Sequence, residues 1–313
     1  MNRIALTDAR IIVPVRNGGA RWREAAAALR RHVPAPDRVV VVDSDSSDGS
    51  AEAALQQGFT VERIDVRDFN HGRTRQEAVK RHCGGVPFAI LLTQDAVLEG
   101  GESLPAILAA FEDAQVGAAY GRQLPHAGAH AVAVYANSVN YPAESETRSL
   151  QDAARLGVKA AYLSNSFAAY RVSALEQCGG FPAHLILGED TYVAMRMLKS
   201  GWRVRYCAAA RVFHSHDYTL TEDLERFFDY GVLHAQCPEL LAFGNPEAAG
   251  LRLLGGEMRH IGRVQPVLLP QVLARAALKY VGYKLGRSHS RLPVSVSRRL
   301  SMTKRFWDAV PPS

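Results

Sequence analysis

The chain is poor in cysteine and has no long apolar run. Its four cysteines, Cys83, Cys178, Cys207 and Cys237, stand far apart and form no C-x-x-C pair. That spacing excludes a zinc knuckle and a disulfide framework, and it fits buried, reduced thiols in a cytoplasmic protein. No stretch approaches the roughly 18 apolar residues of a membrane span. Met1 to Arg10 is polar and Ile11-Ile12-Val13 is too short for a signal core, so no secretory signal is expected. A G-x-G-x-x-G is missing, which disfavours a dinucleotide fold. There is no internal repeat, and no low-complexity segment beyond short alanine-rich helices.

What remains is an ordinary folded composition, 47% hydrophobic and 22% charged over 313 residues. That length suits one large α/β domain with an appendage, or two small domains. The net charge of +6 is unevenly placed. From Leu251 to Ser313 twelve Lys/Arg stand against two acids, so this tail carries +10 and the body −4. A basic tail on an acidic body suits an anionic partner, either membrane lipid or nucleic acid.

The first part alternates strands and helices. Arg10 to Val15, Arg38 to Val42, Thr60 to Val66 and Val86 to Leu92 read as strands. Between them Arg21 to Arg31, Ser50 to Gln57 and Thr74 to Cys83 read as helices. Unbroken β-branched runs such as Val39-Val40-Val41-Val42 mark strands buried on both faces of a parallel sheet. The β-α-β-α-β-α-β order implies right-handed crossovers, with ligands beyond the carboxyl ends of the strands. Further on, Leu104 to Asp113, His130 to Tyr141 and Thr191 to Lys199 read as helices, and Val116 to Tyr120 and Trp202 to Tyr206 as strands. Ala127 to His130 and Pro142 to Arg148 read as loops. From Thr221 the pattern turns helical, through Leu233 and again over Pro270 to Leu285. The segment from about Leu251 is the candidate appendage.

The strand ends carry the chemistry. After the second strand comes Asp43-Ser44-Asp45-Ser46-Ser47-Asp48-Gly49-Ser50, able to accept hydrogen bonds from a base or ribose, or to cap the next helix. After the third comes Asp68-Phe69-Asn70-His71-Gly72-Arg73-Thr74-Arg75, where arginines at a helix start can meet a diphosphate or simply face solvent. After the fourth comes Thr93-Gln94-Asp95-Ala96, a carboxylate that can bridge a divalent cation to phosphates or close a turn. Glu189 and Asp190 open a helix, where their charge also suits the dipole. His214 and His216 alternate on an extended segment and so share a side, as a metal or phosphate contact would need.

In this order the series resembles the family-two glycosyltransferases of the GT-A fold, from about Ile11 to Gly231. Several stretches look closer still to bacterial dTDP-L-rhamnose-dependent rhamnosyltransferases. They are Phe69-Asn70-His71-Gly72 with Arg75, Thr93-Gln94-Asp95-Ala96, Gly121-Arg122-Gln123, Ser164-Asn165-Ser166-Phe167-Ala168, Gly188-Glu189-Asp190-Thr191 and His214-Ser215-His216. In the tail, Lys279-Tyr280-Val281-Gly282-Tyr283 and Phe306-Trp307 also look similar. Many family members have Asp-x-Asp where this chain has Thr93-Gln94-Asp95, so the first carboxylate is missing.

The resemblance implies a Rossmann-like, mainly parallel sheet flanked by helices over residues 1–230, with a nucleotide-sugar half to about 125 and an acceptor half beyond. Residues 231–313 would form the helical, basic C-terminal region. It implies that Val13, Pro14 and Asn17 line the nucleotide site, that Asp43 contacts the base, and that His71, Arg75 and Gln94 lie near the donor. Asp95 with His214 or His216 would hold Mg²⁺ or Mn²⁺. Asp190 would be the catalytic base of an inverting transfer, with Glu189 as the competing candidate. The implied partners are a dTDP-sugar, or else a UDP- or GDP-sugar, and a glycan or lipid-linked acceptor at the cytoplasmic face of a membrane. Cations interleaved with Leu273, Tyr280, Tyr283 and Trp307 suit a peripheral surface on anionic lipid, or a helical bundle packed on the body. Nucleic acid would explain the tail but not the carboxylates, and is disfavoured.

Overall fold

The computed structural model describes residues 4–309. Strands β1 (Ala9–Val15), β2 (Val39–Ser44), β3 (Thr60–Ile64) and β4 (Phe88–Leu92) alternate with helices α1 (Gly19–His32), α2 (Ser50–Gln56) and α3 (His71–His82). The strands pair in parallel in the order β3-β2-β1-β4, so both neighbours of β1 run with it. Every residue of β2 is buried, as its β-branched run demands. All four carboxyl ends therefore open on one edge of the sheet.

The second half adds β5 (Val97–Leu98), α4 (Ser103–Leu108), β6 (Val116–Leu124), α5 (Ala131–Asn140) and β7 (Glu146–Arg148). It continues with α6 (Ala153–Leu156), β8 (Phe167–Arg171), α7 (Val172–Gln177), α8 (Glu189–Lys199) and β9 (Arg203–Phe213). The sheet runs on past β4 as β8-β6-β9-β5, with β7 on the side of β9. β8 is antiparallel to both β4 and β6, while β6 and β9 are parallel. The sheet is thus mainly parallel but mixed, and β8 and the short β5 are strands that the sequence pattern did not show. The expected loop over Pro142 to Arg148 also needs correcting, because its last three residues pair with β9 as β7.

The register of β6 against β9 shifts partway along. The two strands pair from Tyr120–Tyr206 and Gly121–Cys207 to Arg122–Arg211, so β9 bulges outward over Ala208 to Ala210. Gly121 is required there: a Cβ would lie 2.3 Å from the Phe167 ring and 2.6 Å from the Ala210 carbonyl. After the bulge the strands pair again to Leu124–Phe213, and the His214 N–H donates to the Leu124 carbonyl at 2.9 Å. This carries β9 beyond its expected end at Tyr206 and delivers His214 to the sheet edge where β4 ends.

The C-terminal region comprises α9 (Leu220–Gln236), α10 (Pro246–Val264), α11 (Leu269–Arg287) and α12 (Val294–Leu300). α11 crosses α9 at backbone distance. A Cβ on Gly286 would sit 2.0 Å from the Phe228 carbonyl, and one on Gly231 would sit 2.3 Å from that of Tyr283. The final segment is fastened to the body as well. Asp229 is fully buried and accepts hydrogen bonds from Ser301 Oγ at 2.6 Å and from Thr303 N and Oγ1 at 3.0 Å. Trp307 is buried with its ring 6.1 Å from that of Phe228. Among the described residues no helix is long and apolar enough to cross a membrane.

Candidate active site

The carboxyl ends of β1 and β4, the start of α3, the start of α8 and the segment after β9 enclose a cleft of about 640 Å³. Pro14, His71, Arg75, Gln94, Asp95, Glu189, Asp190, His214 and His216 line it. Val13, Asn17 and Asp43 do not: Val13 is fully buried in the core beneath, Asn17 follows β1, and Asp43 is buried near the end of β2.

At the nucleotide end the turn after β2 is stitched to the loop after β1. Asn17, at φ +45°, accepts a hydrogen bond from Ser47 N at 2.8 Å and donates its own N–H to Ser46 Oγ at 3.0 Å. Asp48 takes the capping work, accepting from Gly19 N at 2.8 Å and Ser50 N at 3.1 Å. Asp43 is left for another purpose. It is buried, its Oδ2 accepts from Ser46 N at 3.1 Å, and its Oδ1 has no partner. A buried carboxylate oxygen without a donor calls for one, such as a base N–H. Gln94 joins the same loop, accepting from Arg16 N at 2.7 Å.

In the middle of the cleft Asp95 meets both histidines. Its Oδ1 lies 3.4 Å from His214 Nε2 and its Oδ2 lies 3.7 Å from His216 Nε2. One ligand atom from each of the three falls within 4.8 Å of the others. Gln123 Oε1 stands 2.8 Å from His214 Nδ1 and accepts its hydrogen bond, which fixes the ring with Nε2 facing Asp95. Gln123 is itself fixed by donating to Ser164 Oγ at 2.9 Å. Partial burial, then the neighbouring His214, pushes the His216 imidazole down to about 4, so this ring is neutral near pH 7. Burial would raise the Asp95 carboxyl, but His214, then Thr93 and His216, hold it well below the usual range. One carboxylate oxygen and two imidazole nitrogens fit a divalent cation. The missing first carboxylate of Thr93-Gln94-Asp95 is thus answered from β9, by two imidazoles rather than one.

At the far wall the two acids of α8 take different roles. Glu189 is buried and pairs with Arg75 Nη1 at 3.1 Å, while Asn165 Nδ2 donates to it at 3.0 Å. Burial would raise the Glu189 carboxyl, but Arg75, His71 and Asn165 together lower it. Burial also pushes the His71 imidazole down to about 4. Arg75 thus lines the cleft with its charge balanced by Glu189. Asp190 reaches the cleft. Its Oδ2 accepts from Asn165 N at 3.0 Å and its Oδ1 from Thr191 N at 2.7 Å. Burial, then the charge of Glu189, pushes Asp190 up to about 6. It is ionised at neutral pH and a stronger base than an ordinary carboxylate.

The model of the family described as "Glycosyltransferase like family 2" matches residues 9–227, which include Asp95, Glu189, Asp190, His214 and His216 of the cleft. This chain is a family-two glycosyltransferase. The O-antigen chain rhamnosyltransferase RfbN of Salmonella typhimurium is 38% identical over 302 residues, covering 96% of both chains. The O-antigen chain rhamnosyltransferase WbaN of Salmonella anatum is 39% identical over the same shares. Among solved structures, a mannosyltransferase from Pyrobaculum calidifontis in complex with GDP-Man and Mn²⁺ superposes with a TM-score of 0.57 at 17% identity, over 96% of this chain and 85% of that one. TarS of S. aureus with UDP-GlcNAc superposes at 0.53 and 15% identity, over 90% and 91%. These superpositions show the GT-A fold.

The glycosyltransferase cleft also uses residues to which the sequence had assigned no role. Asn165 braces both acids and accepts from Tyr170 Oη at 2.7 Å. Gln123 fixes the His214 ring. Both lie in stretches that carried the family resemblance, which was the available signal. Arg226, Tyr218 and Tyr230 also line the cleft, and no motif marks them.

Proposed function

We propose that this glycosyltransferase moves L-rhamnose from dTDP-L-rhamnose to a hydroxyl of a bacterial surface-glycan acceptor, with inversion at the anomeric carbon. The observation that carries the chemistry is Asp190, held by two backbone N–H groups at the cleft wall while its neighbour Glu189 is taken by Arg75. The similarity to two O-antigen rhamnosyltransferases supports the sugar and the acceptor class.

In this reading Asp190 takes the proton of the acceptor hydroxyl as its oxygen bonds to the anomeric carbon. The bond from that carbon to the diphosphate breaks, and the phosphate oxygen keeps the electron pair. Asp190 needs no movement, because both its oxygens are already anchored. Asp95, His214 and His216 would hold Mn²⁺ or Mg²⁺, whose charge would offset that of the donor's diphosphate. Asp43 recognises the thymine through its unpaired Oδ1. Replacing Asp43 with Ala is expected to weaken dTDP binding by about tenfold or more, the worth of a charged hydrogen bond, in a calorimetric titration. Unchanged affinity would leave Asp43 with nothing but its turn.

The region 231–313 serves in the same reading as a platform on anionic lipid. Leu251, Val264 and Val267 are 70%, 62% and 77% exposed on and beside α10, among Arg252, Arg259 and Arg263. Apolar tips set among cations suit a lipid-linked acceptor presented at a membrane surface. The enzyme should sediment with phosphatidylglycerol vesicles at low salt, and Val264→Asp with Val267→Asp should weaken that. Equal recovery with neutral and anionic vesicles would contradict the platform.

A further inference from the structure

A second cavity of about 380 Å³ adjoins the cleft beneath α5, α9, α10 and α11. Arg226 of α9 lines both cavities and stands where they join. Its guanidinium lies over the Tyr230 ring, 5.1 Å from the centroid. Among the described residues no carboxylate lies within 4.0 Å of it. The acids around it are already engaged. Asp229 is held by Ser301 and Thr303, Asp223 by Arg275 and Lys279, and Glu225 by Lys304. Arg75, the other arginine of the cleft, is balanced by Glu189 at 3.1 Å. Arg226 is thus a half-buried cation that lines both cavities, with the charge of Asp229 nearby but no carboxylate paired with its guanidinium. A guanidinium in that position is completed by an anion with several oxygens.

The groups that line the cleft say which anion. In the glycosyltransferase reading Pro14 to Arg16, with Asn17 and Asp43 behind them, form the nucleoside end, and Asp95 with the two histidines lines the same cleft. Arg226 lines it too, on the side of α9. A nucleoside diphosphate laid along the cleft from that end brings its distal phosphate, the one that carries the sugar, to Arg226.

We propose that Arg226 grips the distal phosphate of the nucleoside diphosphate and stabilises it as it leaves. The inference rests on the glycosyltransferase reading above. As the acceptor oxygen bonds to the anomeric carbon and its proton passes to Asp190, the bond to the distal phosphate breaks and the electron pair stays on its oxygen. The negative charge that develops there faces the Arg226 fork. Tyr230 supports the planar group from beneath through its ring face.

The test compares nucleoside diphosphate with nucleoside monophosphate, both measured by calorimetry in the presence of Mn²⁺ on the full chain. Arg226→Gln should bind dTDP about 10- to 100-fold more weakly than the wild type, while dTMP affinity stays within about twofold. Equal dTDP affinity in the two proteins would overturn the proposal, and so would an equal loss for dTMP and dTDP. Should Arg226→Gln fail to fold, Arg226→Lys carries the test. It keeps the charge without the fork and should show a smaller, still diphosphate-selective loss; an unchanged ratio of dTDP to dTMP affinity would overturn the proposal. UDP and GDP are run beside dTDP. The wild-type preference among the three reports on the donor, and the variant-to-wild-type ratio reports on Arg226.

Discussion

Asp190→Asn is expected to lower kcat by about a thousandfold, in the middle of the range for losing a general base, while dTDP affinity changes little. The amide can keep one of the two backbone contacts, from Asn165 N or Thr191 N, but it cannot take a proton. The wild-type pH profile depends on the same group. Asp190 sits at about 6, raised first by burial and then by the charge of Glu189. Below that pH it is protonated and idle, so kcat should fall on the acid side with an apparent pKa near 6. Removing the like charge with Glu189→Gln should move the limb to lower pH. An acid limb unmoved by Glu189→Gln, or substantial turnover in Asp190→Asn, would mean that another group accepts the proton.

Removing the divalent cation with a chelator should stop transfer, and Mn²⁺ should restore it better than Mg²⁺. The expected preference comes from the ligand set: two imidazole nitrogens with one carboxylate suit a transition metal, whereas Mg²⁺ favours oxygen ligands and retained waters. Asp95→Ala should cost on the order of a thousandfold in kcat/KM, as expected for the loss of several kcal/mol of charge stabilisation. Gln123→Ala should leave the ligands in place but free the His214 ring, weakening Mn²⁺ affinity by about 10- to 100-fold. Full activity in chelator, with Asp95→Ala still impaired, would assign the trio a role without a metal.

The features that the sequence disclosed are those set by local pattern. Val39-Val40-Val41-Val42 could only be a doubly buried strand, and the carboxylates and histidines at strand ends were visible in their order. β8 escaped because Phe167-Ala168-Ala169-Tyr170-Arg171 is short and alanine-rich, with small residues where it lies between β4 and β6. α10 escaped because Gly255-Gly256 reads as a break, yet the helix continues through it under an Asn245 cap. Long-range pairing was also hidden. The pairing of Arg75 on α3 with Glu189 on α8 joins residues 114 positions apart, which no local pattern shows. The joint approach of both imidazoles to Asp95 depends on the β9 bulge opposite Gly121, a register that no local spacing encodes.

The most direct measurement is a transfer assay with an acceptor glycan, supplying dTDP-L-rhamnose, UDP-sugars and GDP-mannose in turn with Mn²⁺. The product is followed by mass and by the anomeric coupling of the new linkage. A rhamnose-bearing product formed from dTDP-L-rhamnose, with the anomeric configuration inverted, is the predicted result. Transfer from a UDP- or GDP-sugar instead, or retention of configuration, would contradict it.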